Sequence, residues 1–461
     1  MNGFGTLGDR LWNLMRTKPK TSAAIGLAFA ALALGVWSCQ TMPQRTARSL
    51  EQAKGSVEPE VRIRIRNGVQ AAKLEGAKTF LLKRAREELR VEGPLTLSIA
   101  PDGLRALDGK GERLPVSGWG TFEVAAVGDT AKETAPGVVP RVRIDTSLYP
   151  GRIRIYARPG GSLADESSRT DARLDLVALT TIEDYLVGVV AAELYPDWKA
   201  PGVFEVQAVC ARTYALQERQ RSIDLRQEWD LEATEEDQAY KGGSFKAEAY
   251  KAVRDTRGLV LTWNGKLIRA YYSSTCGGRT AAAADVWPTG PGYEFNLAAP
   301  IQAHPREAIC QASPRYRWEV TRDKALFSKQ LREWGKAKGQ NLSGLGLFKS
   351  LTVDKTNVNG RPSRYIITDG AGKTYSISAE MLRTACNFKT AGVPALTKDT
   401  LVRSGDIEMT VQGQNVVIRG RGFGHGVGMC QFCAKAMAER GDSWRDMVLR
   451  FYPGAKIERA F

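Results

Sequence analysis

The chain has 461 residues, 43% of them hydrophobic, which is enough for two or three domains with ordinary cores and too apolar for a disordered protein. Its 66 basic residues against 50 acidic ones give a net charge of +16, spread along the chain, a balance that favours polyanions of any kind. No zinc-finger spacing, RNP-type aromatic motif or Lys/Arg-rich run selects nucleic acid, so nucleic acid is not an expected partner.

Taken in order, the chain begins with Arg10, Arg16, Lys18 and Lys20 ahead of an apolar run, Ala23 to Val36. This is a targeting signal, either a cleaved signal peptide or an uncleaved anchor over residues 1–39. VWSC at Val36 to Cys39 has the form of a lipoprotein cleavage box, with Cys39 as the residue to be lipidated. Both readings put the bulk of the chain outside the cytoplasm, in the cell envelope. Residues 40–57 are polar and aperiodic, and read as a tether. EVRIRIRNG (Glu60 to Gly68) alternates aliphatic residues with arginine and stops at Asn-Gly, the pattern of a strand ending in a hairpin turn. With PLTLSIA, GTFEVAAV, RVRID and RIRIYA following, residues 58–172 are expected to form a mostly β domain. Its arginine faces read either as solvated sheet faces or as a polymer-binding surface.

The strand RLDLVAL opens the remainder, 173–461, a mixed α+β body. Thr180 and Glu183 form a capping box, and Pro196 forbids a helix beyond Tyr195. Ile182, Leu186, Val189 and Val190 share one face of that helix, and Glu193 continues their row. Desolvation there raises a carboxyl pKa, which makes Glu193 a candidate general acid. The alternative is that Glu193 frays outward or pairs with Arg212. A second helix carries the stripe Val203, Val206, Cys210 and Tyr214, with Gln207, Arg212 and Thr213 as its polar groups. Next come a helix through Ala247 to Val253 and a hairpin turning at Asn264 and Gly265. Its second strand ends in Tyr272, Ser273, Ser274 and Thr275. Aromatic faces and hydroxyls suit a carbohydrate. The absence of a GxSxG elbow disfavours a serine nucleophile acting with His425. Residues 313–400 read as scaffold. Gly420, Gly422, Gly424, Gly426 and Gly428 alternate around His425, a pattern that is not the phosphate-binding GxGxxG and that permits close backbone approach. After Cys39 six cysteines remain. Cys276 and Cys310, which bracket a loop-rich segment, are the first candidates for a disulfide, and the CxxC of Cys430 and Cys433 suggests a structural or metal role.

EDYLVGVVAAELYPDW and VQAVCARTYA resemble the SpoIID/LytB family, whose pattern is roughly EDYLxGVVxxEMP followed by AQAVAARTYA. DQAYKG (Asp237 to Gly242), YYSSTCGGRTAAAADVW (Tyr271 to Trp287) and GRGFGHGVGMCQFCAKAMAERG (Gly420 to Gly441) extend the resemblance in the family's order. It implies a peptidoglycan-remodelling lytic transglycosylase with Glu193 as acid/base, or a non-catalytic enhancer of a cell-wall amidase. It promotes Gln207 and Arg212 to glycan-binding candidates beside Tyr272, Ser274, Thr275 and Gln431, while His425 contacts the sugar, orients Glu193 or is a structural histidine. No cofactor is required. Some members hold zinc through cysteines near STCGG, but with only His304 and His425 in this chain that ligand set is not carried over. A structural zinc is left open. Cys430 and Cys433 also depart from the family's GMSQYGA, standing where it has Ser and Gly.

Overall fold

In the strand Glu60–Val69, Val61, Ile63 and Ile65 are buried and alternate with Arg62, Arg64 and Arg66, so period two decides which face meets the core. The computed structural model describes residues 57–128, 140–160, 172–195, 197–200, 202–243 and 246–461. The expected anchor with Cys39, nearly all of the tether, and Pro196 lie outside these residues. Among the described residues no helix is long and apolar enough to cross a membrane.

Glu60–Val69 pairs antiparallel with Arg173–Thr181. The sheet continues through Arg152–Arg158, Gly120–Val127, Thr79–Arg84 and Glu87–Glu92, with Leu231–Glu232 on the other flank. A second sheet runs Ser147–Pro150, Arg141–Ile144, Ala71–Glu75, Leu95–Ala100, Gly103–Leu107, Arg113–Gly118. The two sheets touch, and Phe80, Leu82, Leu97, Leu104, Phe122 and Ile153 are fully buried. The protein is thus α+β with a strand-rich amino-terminal region. The expected division at residue 172 falls beside a strand, Arg173–Thr181, that lies inside the first sheet between Glu60–Val69 and Arg152–Arg158.

Two expectations for this region are corrected. Asn67-Gly68 makes no hairpin: Gly68, at φ 68°, sits in an irregular stretch of the strand and its N–H donates to the Asp175 carboxylate at 2.8 Å. The arginine face is covered by carboxylates. Arg62 pairs with Asp230 at 2.5 Å, Arg64 pairs with Glu232 and stacks its guanidinium over Trp229 at 4.1 Å, and Arg66 pairs with Asp145. A face neutralised in this way has little charge left for a polyanion.

The helix Ile182–Glu193 starts one residue later than the capping-box reading, with Thr181 as N-cap accepting from the Asp184 N–H at 3.4 Å. A Cβ at Gly188 would stand 2.1 Å from the Gly242 carbonyl, so only glycine lets the Asp237 to Gly242 segment lie against this helix. That approach brings Ala239 to Glu193. The helix Val203–Asp224 is buried on nearly every side from Val203 to Leu216, which leaves no amphipathic stripe to read. It touches the Glu193 helix, the helix Ala247–Asp255, the strand Leu259–Trp263, and the helices Gln431–Glu439 and Trp444–Phe451. The turn at Asn264 and Gly265 (φ 51° and 72°) forms the expected hairpin. Residues 317–421 add two three-stranded sheets and two helices around a core that includes Trp318, Phe327, Trp334, Phe348, Tyr365 and Leu382.

Candidate active site

Glu193 ends its helix at a cleft of about 850 Å³. Its Oε1 accepts from the Ala239 N–H at 2.9 Å and from the Tyr272 hydroxyl at 3.2 Å. Gln238 aligns that hydroxyl: its Nε2 donates to Tyr272 at 3.0 Å while its Oε1 accepts from Tyr185 at 3.1 Å. Burial pushes the Glu193 carboxyl above the usual range, opposed by the Ala239 and Tyr272 donors and reinforced by the nearby charge of Glu235. Burial also holds the Tyr272 phenol well above its usual pKa, so it remains a donor. A carboxyl whose pKa is raised by burial, held through one oxygen at the edge of a cleft, has the features that general acid catalysis uses.

The glycine-rich segment supplies the facing wall. A Cβ at Gly428 would lie 2.1 Å from the Tyr271 carbonyl, so this glycine admits the close contact that pairs Tyr272–Ser273 with Met429–Cys430 in parallel. The chain that approaches the glycines is therefore the protein's own strand. Gln431 follows directly, and its Nε2 donates to the Glu193 carbonyl at 3.2 Å and to Gln207 Oε1 at 3.1 Å. Tyr272, Ser274, His425 and Gln431 all line the cleft with Glu193.

Three expected site residues stand elsewhere. Gln207 is fully buried behind the wall and supports Gln431. Thr275 is buried and its hydroxyl bonds that of Ser313 at 2.7 Å. Arg212 touches neither the cleft nor Glu193. Fully buried, it grips Glu183 with Nε and Nη2 at 2.8 and 2.7 Å and caps the Leu259 carbonyl at 3.1 Å. Glu183 is accordingly the partner of a buried arginine, and Asp184 alone serves the N-cap. His304 does not line the cleft.

His425 packs edge-on against Trp287 at 4.8 Å, and its Nδ1 accepts from the Val427 N–H at 3.0 Å. Burial lowers its pKa to about 4, so the ring is neutral at ordinary pH. Among the described residues no serine hydroxyl bonds it, which removes the Ser–His arrangement. His425→Asn, whose side-chain oxygen can take over the Val427 bond, is expected to leave the shape of the pH–rate profile between about pH 5 and 8 unchanged. A limb that moved in the variant would contradict this reading.

Several residues of the site and its support carry no individual role in the sequence reading. Gln238 and Ala239 lie in DQAYKG, a block legible only as part of the resemblance. Trp287 stacks on Tyr271 at 3.7 Å, and Tyr195 and Tyr293, each 39% exposed, stand at the cleft as aromatic platforms. Glu235, Glu236 and Arg383 also line it.

The cysteines depart from the expected pairing. Cys276 and Cys310 are neighbours, but their sulfurs are 3.6 Å apart, far beyond the ~2.05 Å of a disulfide. The strand pairing at Met429–Cys430 brings the CxxC to them, so that Cys276, Cys310, Cys430 and Cys433 form one buried group. Cys210 and Cys386 are buried separately as free thiols.

An acidic side chain thus ends a buried helix at a cleft backed by a glycine-rich segment and lined with aromatics. Residues 170–263 match the SpoIID family model, described as Stage II sporulation protein. Those residues carry a SpoIID-type domain, and the similarity extends beyond them to curated relatives. The chain is 27% identical to Stage II sporulation protein D of Bacillus subtilis (strain 168) over 293 residues, 60% of this chain and 75% of the relative. It is 26% identical to the Amidase enhancer of the same organism over 294 residues, 59% of this chain but 40% of that protein. An uncharacterised protein of Brachyspira hyodysenteriae is 29% identical over 279 residues, 60% of this chain and 66% of its own length.

Proposed function

We propose that this protein is a lytic transglycosylase of the cell envelope, cutting peptidoglycan glycan strands at N-acetylmuramic acid with Glu193 as the single general acid and base. The observation that carries this reading is the raised, doubly hydrogen-bonded Glu193 carboxyl in the aromatic-lined cleft. With Oε1 taken by Ala239 and Tyr272, the proton of the acid form falls to Oε2. That proton passes to the glycosidic oxygen as its bond to C1 breaks. The resulting carboxylate then accepts the proton of the same sugar's 6-hydroxyl as that oxygen attacks C1, which closes a 1,6-anhydro ring and restores the acid. One carboxyl thus serves both steps, where hydrolysis generally uses two. Tyr195, Tyr293 and Trp287 offer ring faces for sugar C–H surfaces, and Ser274 and Gln431 offer hydrogen-bonding groups. The amino-terminal run would export the chain and tether it to the membrane.

The two routes are separated by cleavage in water enriched in oxygen-18. Ring closure leaves the new ends unlabelled, whereas label in new reducing ends would mean hydrolysis and would overturn the intramolecular step.

A second reading draws on the relative named Amidase enhancer: the protein binds wall glycan and recruits or activates a separate amidase. On that reading Glu193 has no chemical task, and amidase stimulation survives its replacement.

A further inference from the structure

Four thiols from distant parts of the chain meet behind the cleft wall. Cys276 follows the strand that carries Tyr272, Cys310 comes from the loop before the strand Arg317–Asp323, and Cys430 and Cys433 flank the start of the helix Gln431–Glu439. All four are buried and their sulfurs lie within 4.8 Å of one another. Cys276 Sγ is 3.6 Å from Cys310 Sγ and 3.8 Å from Cys433 Sγ. A tetrahedral zinc with Zn–S bonds of about 2.3 Å holds its sulfurs about 3.8 Å apart, so the spacing is that of a ligand tetrahedron.

The surroundings offer hydrogen-bond and dipole partners to the sulfurs. Cys430 is the N-cap of its helix and Cys433 lies in the first turn, where unpaired N–H groups and the helix dipole stabilise negative sulfur. The Cys276 N–H donates to Cys430 Sγ at 3.3 Å. Arg306 holds the Gly428 carbonyl through Nη2 at 2.8 Å and has a buried Nε with no hydrogen-bond partner. Such contacts orient ligands and offset the charge of a tetrathiolate centre.

We propose that Cys276, Cys310, Cys430 and Cys433 bind one zinc ion in a closed structural site. Four S–H bonds ionise, four Zn–S bonds form, four protons leave to solvent, and no electrons move. Because all four positions are filled by sulfur and buried, the ion has no open position for substrate. Its effect on the cleft is positional: Ser274 is two residues from one ligand, and Gln431 lies between two others. The metal ties both to the loop that carries Cys310. Two of the four ligands occupy positions where the SpoIID/LytB motif has Ser and Gly, so this set belongs to this chain rather than to the family pattern. The inference is independent of what the cleft cuts.

The test is metal analysis of the full chain purified in detergent without chelator or reductant. The expected result is about one zinc per chain. Cys310→Ser and Cys433→Ser should each lose it, while Cys386→Ala, in the core of the 317–421 lobe, should keep it. Should the ligand variants fail to fold, wild-type protein stripped under denaturing conditions and refolded with cobalt supplies the readout: an intense thiolate-to-cobalt charge-transfer band with tetrahedral d–d bands. Wild-type protein free of metal overturns the proposal, whether its four sulfurs are found as thiols or as two disulfides. So does stoichiometric iron in place of zinc, zinc retained by both serine variants, or cobalt that binds without the charge-transfer band.

Discussion

Glu193→Gln lowers glycan cleavage by roughly 10²–10⁴-fold, the usual contribution of a positioned proton donor, while binding to glycan strands persists. The substitution is close to isosteric. Both bonds to the carboxyl fall on Oε1, so the glutamine oxygen can keep the Ala239 and Tyr272 donors. What is lost is the transferable proton. Stability should move in the other direction. Burial raises the folded pKa of Glu193 above its unfolded value, so the native state holds the proton more tightly. Below the unfolded pKa the carboxyl is neutral in both states and carries no penalty. As pH rises from there through the folded pKa the wild type loses stability, and the glutamine variant does not. Denaturant melts at pH 4 and pH 8 check this, with the variant gaining on wild type at the higher pH. Activity should also fall in the wild type as pH rises through the folded pKa, because the acid form is consumed. A variant that lost activity together with stability at pH 8 would mean that Glu193 is structural.

Arg212→Ala destabilises the fold by about 3–5 kcal/mol, because it strands the Glu183 carboxylate in the interior without its partner. The pair is bidentate, at 2.8 and 2.7 Å, with Arg212 fully buried and the Glu183 side chain 10% exposed. Arg212 also satisfies the Leu259 carbonyl and, through Nη2, the Val253 carbonyl at 3.2 Å. The pair therefore fastens the Glu193 helix, the long helix and the strand Leu259–Trp263 together. Lysine offers one point charge in place of a planar fork, so Arg212→Lys should recover only part of the loss. Chemical denaturation measures both variants. An Arg212→Ala protein as stable as wild type but unable to bind glycan would return Arg212 to the substrate site.

Glu193 was legible in the sequence because a 3.6-residue period carries the row from Ile182 through Val190 to it, and such a row ends partly desolvated. The Asn264-Gly265 turn was legible for a local reason too, since both residues tolerate positive φ. Arg212 was not. Reading an arginine as a surface or substrate group assumes that its helix has an exposed face, whereas Val203 to Leu216 is surrounded and the carboxylate that neutralises Arg212 comes from another helix. Gly68 misled in the same way: Asn-Gly promises a hairpin, but its N–H is claimed by Asp175, 107 residues away. The expected disulfide found the right neighbours, Cys276 and Cys310, and missed the CxxC, which reaches them only through a two-residue parallel pairing. Gln238 and Ala239 act through a hydrogen bond and a backbone amide, which leave no mark in residue patterns.

The account turns on one measurement: mass spectrometry of the soluble products after the full chain is incubated with intact and with peptide-stripped glycan strands, alongside a Glu193→Gln sample. Wild-type protein is expected to give 1,6-anhydro-muramyl ends with at least one of the two substrates, and the variant none above background. Strands that are bound by the wild type and left uncut in both preparations would contradict it, as would anhydro ends produced equally well by the variant.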